Sequence, residues 1–196
     1  MSDHSPYHER QSWRDCAVHA ANSLLKGPVI STQRLDELCA TLDPPRWFHT
    51  NAHRSMFGGN YDANVLILAL EGAGANVAWF DRRKAASPAA LADALNTPNL
   101  LGLLCNRKTD SILGAAFGLS HWFALVCRQE TPAAADHCDE AGSFSTMRRP
   151  ALTEWWNCDS LLPAPVLLGK AEAEAASFLA AEWTRSGFEV LLVTRR

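Results

Sequence analysis

The order of the predicted elements indicates an α+β fold in which helices pack on one antiparallel sheet. Helix-like segments come early in the chain, whereas strand-like segments cluster late. A length of 196 residues suits one domain, and 47% hydrophobic with 20% charged residues is typical of a chain that buries a core. Because no internal repeat occurs, we expect residues 1–196 to form a single domain.

The first predicted helix covers residues 16–26, and a Gly-Pro pair stops it. Ser12, with Asp15 three positions on, resembles a capping box. This start places Cys16 in the first turn of the helix.

Four further helices are predicted. The second begins at Ser31 or Thr32 and ends at a Pro-Pro pair, and its apolar residues have the spacing of one buried face. The third helix covers about 63–72, the fourth about 88–95 after Ser87, and the last about 171–185. The buried face of the second helix consists of Leu35, Leu38, Cys39 and Leu42.

Short apolar runs predict the strands, and polar or glycine-containing segments connect them. The predicted strands cover residues 76–80, 100–105, 121–127, 155–159 and 188–194. The predicted connections are an irregular segment at 46–62, a charged turn at 81–84, a surface loop at 129–150 and a Pro-rich loop after 159.

Composition argues against several classes of function. The net charge is −3 and the basic residues are scattered, so we expect no nucleic-acid partner. The N-terminus lacks the apolar core of a signal peptide, and no apolar run approaches the roughly 20 residues that span a bilayer. We therefore expect a soluble, cytoplasmic protein without an integral membrane segment. No exposed heptad pattern occurs, so a monomer is the default.

Six cysteines occur, at positions 16, 39, 105, 127, 138 and 158. None forms a Cys-x-x-Cys pair, and several lie in apolar runs, where a free cysteine is usually a small buried hydrophobe. All five residues from 136 to 140 are potential metal ligands, but an extended backbone cannot bring them all to one ion. We expect neither a metal ion nor another cofactor.

Cys16 is the cysteine that the pattern places at a helix N-terminus, where unpaired N–H groups favour a thiolate. A nucleophilic thiol also needs an imidazole to accept its proton. His19 lies one turn along the same helix, where a structural or supporting role is the simpler interpretation. His121 instead begins an apolar strand, so its polar ring requires an explanation.

The strand that ends at Asp159 is the natural antiparallel partner of the strand that begins at His121. In such a pair the two side chains lie next to each other, and an acid beside an imidazole fixes its tautomer. Gln11, just upstream of Cys16, is a candidate oxyanion donor together with the Cys16 N–H. Chance pairing of His and Asp, and an ordinary loop role for Gln11, stay open on these patterns alone.

Four motifs, taken together and in order, resemble the Josephin-domain deubiquitinases over about residues 5–193. The resemblance implies a papain-like fold with Cys16 as nucleophile, His121 as base and acid, Asp159 as its orienting residue and Gln11 as oxyanion donor. Residues 53–56 and 78–83 look most like the short, stand-alone members of the family. The motifs are YHERQ (7–11) with CAVHAAN (16–22), GNYDANV (59–65), HWF (121–123) and WNCDSL (156–161).

The chain also departs from other members of the family it resembles. Asp159 stands where some relatives have Asn, and either residue accepts a hydrogen bond from the imidazole. The connection between the second and third helices is short, so the long helical arm of the ataxin-type members is absent. The loop around 136–140 is longer than in the stand-alone relatives.

The resemblance implies hydrolysis of bonds at the ubiquitin C-terminus, with ubiquitin and ubiquitinated proteins as partners. Trp13, Trp47 and Trp122 lie near the motifs and are candidates for contact with a protein substrate, although tryptophan is more often a core residue. Two alternatives stay open: a ubiquitin-binding module with little or no turnover, and a papain-like hydrolase that acts on another ubiquitin-like modifier.

Overall fold

In the computed structural model, the part of the chain that the structure describes has five helices packed on a six-stranded antiparallel sheet, which confirms the α+β class. The structure describes residues 5–11, 15–44, 51–54, 61–81, 87–108, 120–130, 152–184 and 188–196. The helices are α1 (Cys16–Leu25), α2 (Thr32–Leu42), α3 (Ala63–Gly72), α4 (Pro88–Leu95) and α5 (Glu172–Trp183). The strands are β1 (Ala75–Trp79), β2 (Leu100–Lys108), β3 (Ser120–Glu130), β4 (Leu152–Asn157), β5 (Val166–Gly169) and β6 (Glu189–Arg195).

The strands are arranged in the order β1-β6-β2-β3-β4-β5. Strand β3 is therefore an interior strand, hydrogen-bonded to β2 on one side and to β4 on the other. Its register places His121 opposite Arg107 of β2 and Leu125 opposite Asn157 of β4. Both pairings are antiparallel, and the pairing of β3 with β4 agrees with the prediction for these two strands.

Alternate side chains of β3 enter two separate cores. Trp122 and Ala124 belong to the core formed with α1, α2 and α3. Phe123 and Leu125 belong to the core formed with α4 and α5. All four are fully buried, so both faces of this strand are fixed by the hydrophobic effect.

Side-chain caps fix the beginnings of three helices. Ser31, Asp62 and Ser87 each accept a hydrogen bond from the backbone N–H three residues further on. Such caps contribute about 1 kcal/mol each. The predicted capping box before α1 is different: Asp15 is itself the N-cap residue and makes no side-chain capping bond. Ser12 lies outside the described residues.

The structure also corrects the expectations for Leu42 and for the segment after Asp159. Leu42 was expected on the buried face of α2 but is 37% exposed, because it is the last residue of the helix and lies past the core that covers Leu35. The Pro-rich segment after Asp159 was expected to be a loop, but it contains strand β5. That strand has only four residues and lies at the edge of the sheet, and so it gives little periodic signal.

Several predictions fall on residues outside the described part of the chain. They concern Trp13, Trp47, the charged residues 82–84, the run 136–140 and most of the loop at 129–150. The first two residues of that predicted loop belong instead to β3, which continues to Glu130. Among the described residues no helix combines the length and apolar character needed to cross a bilayer.

Gly102 in β2 provides a test of the sheet geometry. Its φ is +150°, and a Cβ atom there would lie 2.1 Å from the backbone oxygen of Leu125. We expect Gly102→Ala to lower the free energy of unfolding by about 3 kcal/mol, since β2 or β3 must shift to admit the methyl group. Equilibrium denaturation in urea measures this loss.

Gly72→Ala is the matched control, because a Cβ at Gly72 meets no heavy atom within 4 Å and the residue is helical. We expect this variant to gain about 0.5 kcal/mol from the lower entropy of its unfolded state. Equal stability of the two variants would contradict the close approach of β2 and β3 at Gly102.

Candidate active site

Cys16 is the first residue of α1 and is 4% exposed. Its Sγ accepts a hydrogen bond from the backbone N–H of Trp122, at 3.5 Å. The first turn of α1 contains no acidic residue, so the unpaired N–H groups there leave a local positive potential around the sulfur.

His121, at the beginning of β3, donates a hydrogen bond from Nε2 to Oδ1 of Asp159 at 2.7 Å. The predicted neighbourhood of these two side chains is therefore confirmed. Because Nε2 donates to Asp159, Nδ1 is the ring nitrogen that remains for the hydrogen bond with Cys16. The imidazole also lies parallel to the ring of Phe123, with centroids 6.3 Å apart.

Asp159 lies just beyond β4, whose last residue is Asn157, and not within the strand as predicted. Two hydrogen bonds shape the turn: the backbone N–H of Asp159 donates to Oδ1 of Asn157, and the N–H of Leu161 donates to Oδ1 of Asp159. Because Asp159 lies outside the backbone pairing of β4, its carboxylate can turn toward His121. A turn of this kind is typical of Asn and Asp residues.

The His121–Asp159 pair is held in its charged form. Burial alone would lower the pKa of His121, but hydrogen bonds with Asp159 and Cys16, and the negative charge of both groups, raise it to about 9. Burial alone would raise the pKa of Asp159. The bond and charge of His121, the Leu161 N–H and the charge of Arg107 hold it below its ordinary range instead.

Gln11 lies beside the same turn, tied to Ser160 by two hydrogen bonds. The backbone N–H of Gln11 donates to the carbonyl oxygen of Ser160 at 2.8 Å, and Ser160 Oγ donates to Gln11 Oε1 at 3.1 Å. Because the Ser160 hydroxyl donates to the amide oxygen, the bond defines the orientation of the Gln11 amide. Nε2 is then the amide atom that can donate a hydrogen bond to another group. Sequence reasoning missed Ser160, although its position next to Asp159 in the WNCDSL motif was a usable signal.

Arg107 was also missed. Its Nη2 lies 3.3 Å from Oδ2 of Asp159, and its Nη1 lies 3.6 Å from Oε2 of Glu182 on α5. No sequence pattern pointed to this contact, because it depends on the register of β2 against β3, which places Arg107 opposite His121.

His19 contacts the N-terminal segment through its ring nitrogen. Its Nδ1 donates to Oε2 of Glu9 at 2.5 Å, and the hydroxyl of Tyr7 donates to the other carboxylate oxygen. The imidazole that pairs with Asp159 is that of His121, not His19. This geometry supports the structural interpretation of His19.

The other four cysteines in the described residues are also buried and free. Burial raises the pKa of Cys39 to about 11 and that of Cys127 and Cys158 to about 12, and it raises the pKa of Cys105 well above its ordinary value. These thiols are held in the unreactive protonated form. Among the described residues no group of three or more side chains has the arrangement of a metal site.

Comparison with known proteins gives consistent matches. A sequence model of the Josephin family matches residues 11–194. Josephin-2 from Homo sapiens is 36% identical over 194 residues, which cover 97% of this chain and 86% of that protein. Josephin-2 from Mus musculus is 36% identical over 196 residues, covering 98% and 87%. A Josephin-like protein from Drosophila melanogaster is 40% identical over 131 residues, covering 64% and 56%.

The electrostatic coupling of His121 and Asp159 can be measured directly. In Asp159→Asn we expect the pKa of His121 to fall from about 9 toward the ordinary value of about 6.5, because the charge that stabilises the imidazolium is gone. The titration is followed by NMR of the imidazole signals. Asp93→Asn, at an exposed site on α4, is the matched control and should leave the titration unchanged.

The pH dependence of the free energy of unfolding should report the same coupling between His121 and Asp159. A raised histidine pKa stabilises the folded state fully below about pH 6.5, and this contribution is lost as pH rises through about 9. Between these values the wild type should therefore lose more stability than Asp159→Asn. A His121 titration near pH 6.5 in the wild type would contradict the coupling.

Proposed function

The chain belongs to the Josephin family, and we propose that it is a thiol-dependent deubiquitinase that hydrolyses isopeptide and peptide bonds at the ubiquitin C-terminus. Members of the family are generally deubiquitinating cysteine proteases. The observation that carries the proposal is the combination of Cys16 at a helix N-terminus with a largely buried, charged His121–Asp159 pair. We assign residues 5–193 as the core of the catalytic domain.

In the proposed first step the Cys16 thiolate, formed by proton transfer to Nδ1 of His121, attacks the carbonyl carbon of the terminal glycine of ubiquitin. The C–N bond then breaks, and His121 protonates the departing amine. A thioester between Cys16 and ubiquitin remains. His121 next takes a proton from water, whose oxygen attacks the thioester and releases ubiquitin and the thiolate. Asp159 holds the imidazole in one tautomer throughout.

The tetrahedral intermediate carries a negative oxygen that needs hydrogen-bond donors. The backbone N–H of Cys16, at the start of α1, is one candidate donor, and Nε2 of Gln11 is the other. The bond from Ser160 to Gln11 Oε1 supports this role, since it turns the amide nitrogen away from Ser160.

An exposed apolar surface, formed by residues that follow Asp159 in the chain, is consistent with a protein as the substrate. Leu161, Val166 and Leu167 are 59%, 47% and 40% exposed, although all three are large aliphatic residues. They follow Asp159 closely in the chain, in the turn and in edge strand β5. We propose that this surface contacts the substrate. Trp122, suggested by the sequence as a contact residue, is fully buried and is not part of it.

Reaction with ubiquitin that carries an electrophile at its C-terminus tests the nucleophile and the substrate class together. We expect a covalent adduct with the wild type and none with Cys16→Ala, since the thiolate is the attacking group. Cys105→Ala is the matched control, because burial keeps the Cys105 thiol protonated and the substitution removes one sulfur without touching the site. Intact-mass spectrometry counts the adducts.

Three other results are distinguishable. Ubiquitin binding without adduct would favour a binding module with little or no turnover. Adduct formation with a ubiquitin-like modifier but not with ubiquitin would favour a hydrolase of that modifier. An adduct that persists in Cys16→Ala would overturn the assignment of the nucleophile.

Gln11 is tested by its effect on turnover. We expect Gln11→Ala to reduce kcat about 100-fold with little change in KM, since the amide acts on the oxyanion and not on bound substrate. Steady-state cleavage of a ubiquitin–fluorophore conjugate measures both constants. Gln33→Ala, at an exposed site on α2, is the matched control and should retain full activity. A rise in KM alone would make Gln11 a substrate-binding residue instead.

A further inference from the structure

Three charged side chains continue from the imidazole toward α5. His121 bonds Oδ1 of Asp159, Arg107 bonds Oδ2 of the same carboxylate, and Glu182 lies against the other guanidinium nitrogen. The distances are 2.7, 3.3 and 3.6 Å in that order. Each oxygen of Asp159 thus has its own cationic partner, and the guanidinium lies between two carboxylates.

Packing restricts the guanidinium as well. Arg107 is the cross-strand neighbour of His121, and its guanidinium carbon lies 5.4 Å from the centre of the Phe123 ring. Glu182 is 9% exposed on α5, among the residues that cover this face of the sheet. A side chain held by a ring on one side and by two carboxylates has few other conformations, so its position is well defined.

We propose that Arg107 is a positioning residue of the active site: it binds Oδ2 of Asp159 and thereby turns Oδ1 toward Nε2 of His121, with Glu182 fixing the guanidinium. The inference rests on the proposed function only in the role it gives Asp159. It adds to the Cys16, His121 and Asp159 set two side chains from β2 and α5 that do not touch the substrate.

Positioning and simple charge make opposite predictions for His121. The charged groups around the pair are Arg107 on β2, Cys16 on α1 and Glu182 on α5. If Arg107 acted only through its charge, its removal would raise the pKa of His121, because one nearby positive charge would be lost. If Arg107 positions Asp159, its removal lets the carboxylate rotate, and the weaker bond to Nε2 lowers the pKa of His121.

The test is the NMR titration of His121 in Arg107→Met, which keeps the length of the apolar stem but removes the guanidinium. We expect the pKa of His121 to fall below its wild-type value of about 9, in the direction of the Asp159→Asn variant. The rate at which chloroacetamide alkylates Cys16 at pH 7.5 should fall in parallel, because less imidazolium is present to stabilise the thiolate. Arg107→Lys keeps the charge without the planar fork and should restore each value only in part.

A double-variant cycle separates positioning from a general structural role. In the Asp159→Asn background Arg107→Met should change neither readout further, since Arg107 acts through Asp159. Glu182→Gln should produce a smaller shift of the same sign as Arg107→Met. A pKa of His121 that rises or stays constant in Arg107→Met would overturn the proposal, as would additive effects in the double variant.

Neither readout uses ubiquitin, so the test stands if the deubiquitinase proposal fails. If ubiquitin is cleaved, kcat of Arg107→Met should fall about tenfold with KM unchanged, as expected for a misplaced catalytic group. Should Arg107→Met fail to fold, Arg107→Lys provides the discriminating comparison, because it keeps the positive charge and loses the planar fork. Glu182→Gln does not discriminate, since the loss of a negative charge lowers the pKa of His121 by itself. An unaltered His121 titration in Arg107→Lys would also overturn the proposal.

Discussion

The antiparallel pairing of β3 with both β2 and β4 is the constraint on which the site depends. Because alternate side chains of β3 are buried in two different cores, the strand cannot slip by one residue without exposing Trp122 or Phe123. With that register fixed, the first residues of the strand hold His121 next to the Cys16 sulfur on one side and Arg107 on the other. Hydrophobic burial of the residues next to His121 thus determines the distances within the candidate site.

Neighbouring groups stabilise the charges of His121 and Asp159, although both side chains are largely removed from water. Removing His121 and Asp159 from water favours their neutral forms, and the structure opposes this with the bond between them and with the charge of Arg107. Glu182 then balances the guanidinium. The result is a chain of alternating charges across β3, β2 and α5 in which no charge is left without a partner of opposite sign.

Local signals predicted most of the helices and strands, and the contact of His121 with Asp159 followed from strand pairing. Ser87 with Pro88 marked the start of α4, and the boundaries of α3 agreed with the prediction. Each failure has an identifiable physical cause. Arg107 reaches Asp159 through a cross-strand register, which no local pattern encodes, and β5 exists only because it adds to the edge at β4. Asp159 lies outside β4 because hydrogen bonds to side chains in the turn take the place of backbone hydrogen bonds between strands.

The N-terminal segment explains how Cys16 and Asp159 keep a fixed relative position although they lie on different elements. Within residues 5–11, Glu9 binds His19 of α1, whereas His8 and Gln11 bind the turn that follows β4, at Leu162 and Ser160. A single short strap therefore connects the helix of Cys16 to the turn of Asp159. The α1 end of the strap is held by the hydrogen bond between His19 and Glu9. The other end is held by hydrogen bonds to the carbonyl oxygens of Leu162 and Ser160 and by the bond from the Ser160 hydroxyl. A loss at either end would let α1 move relative to that turn. Gln11 belongs to the same strap, so its placement depends on the contacts that align Cys16 and Asp159.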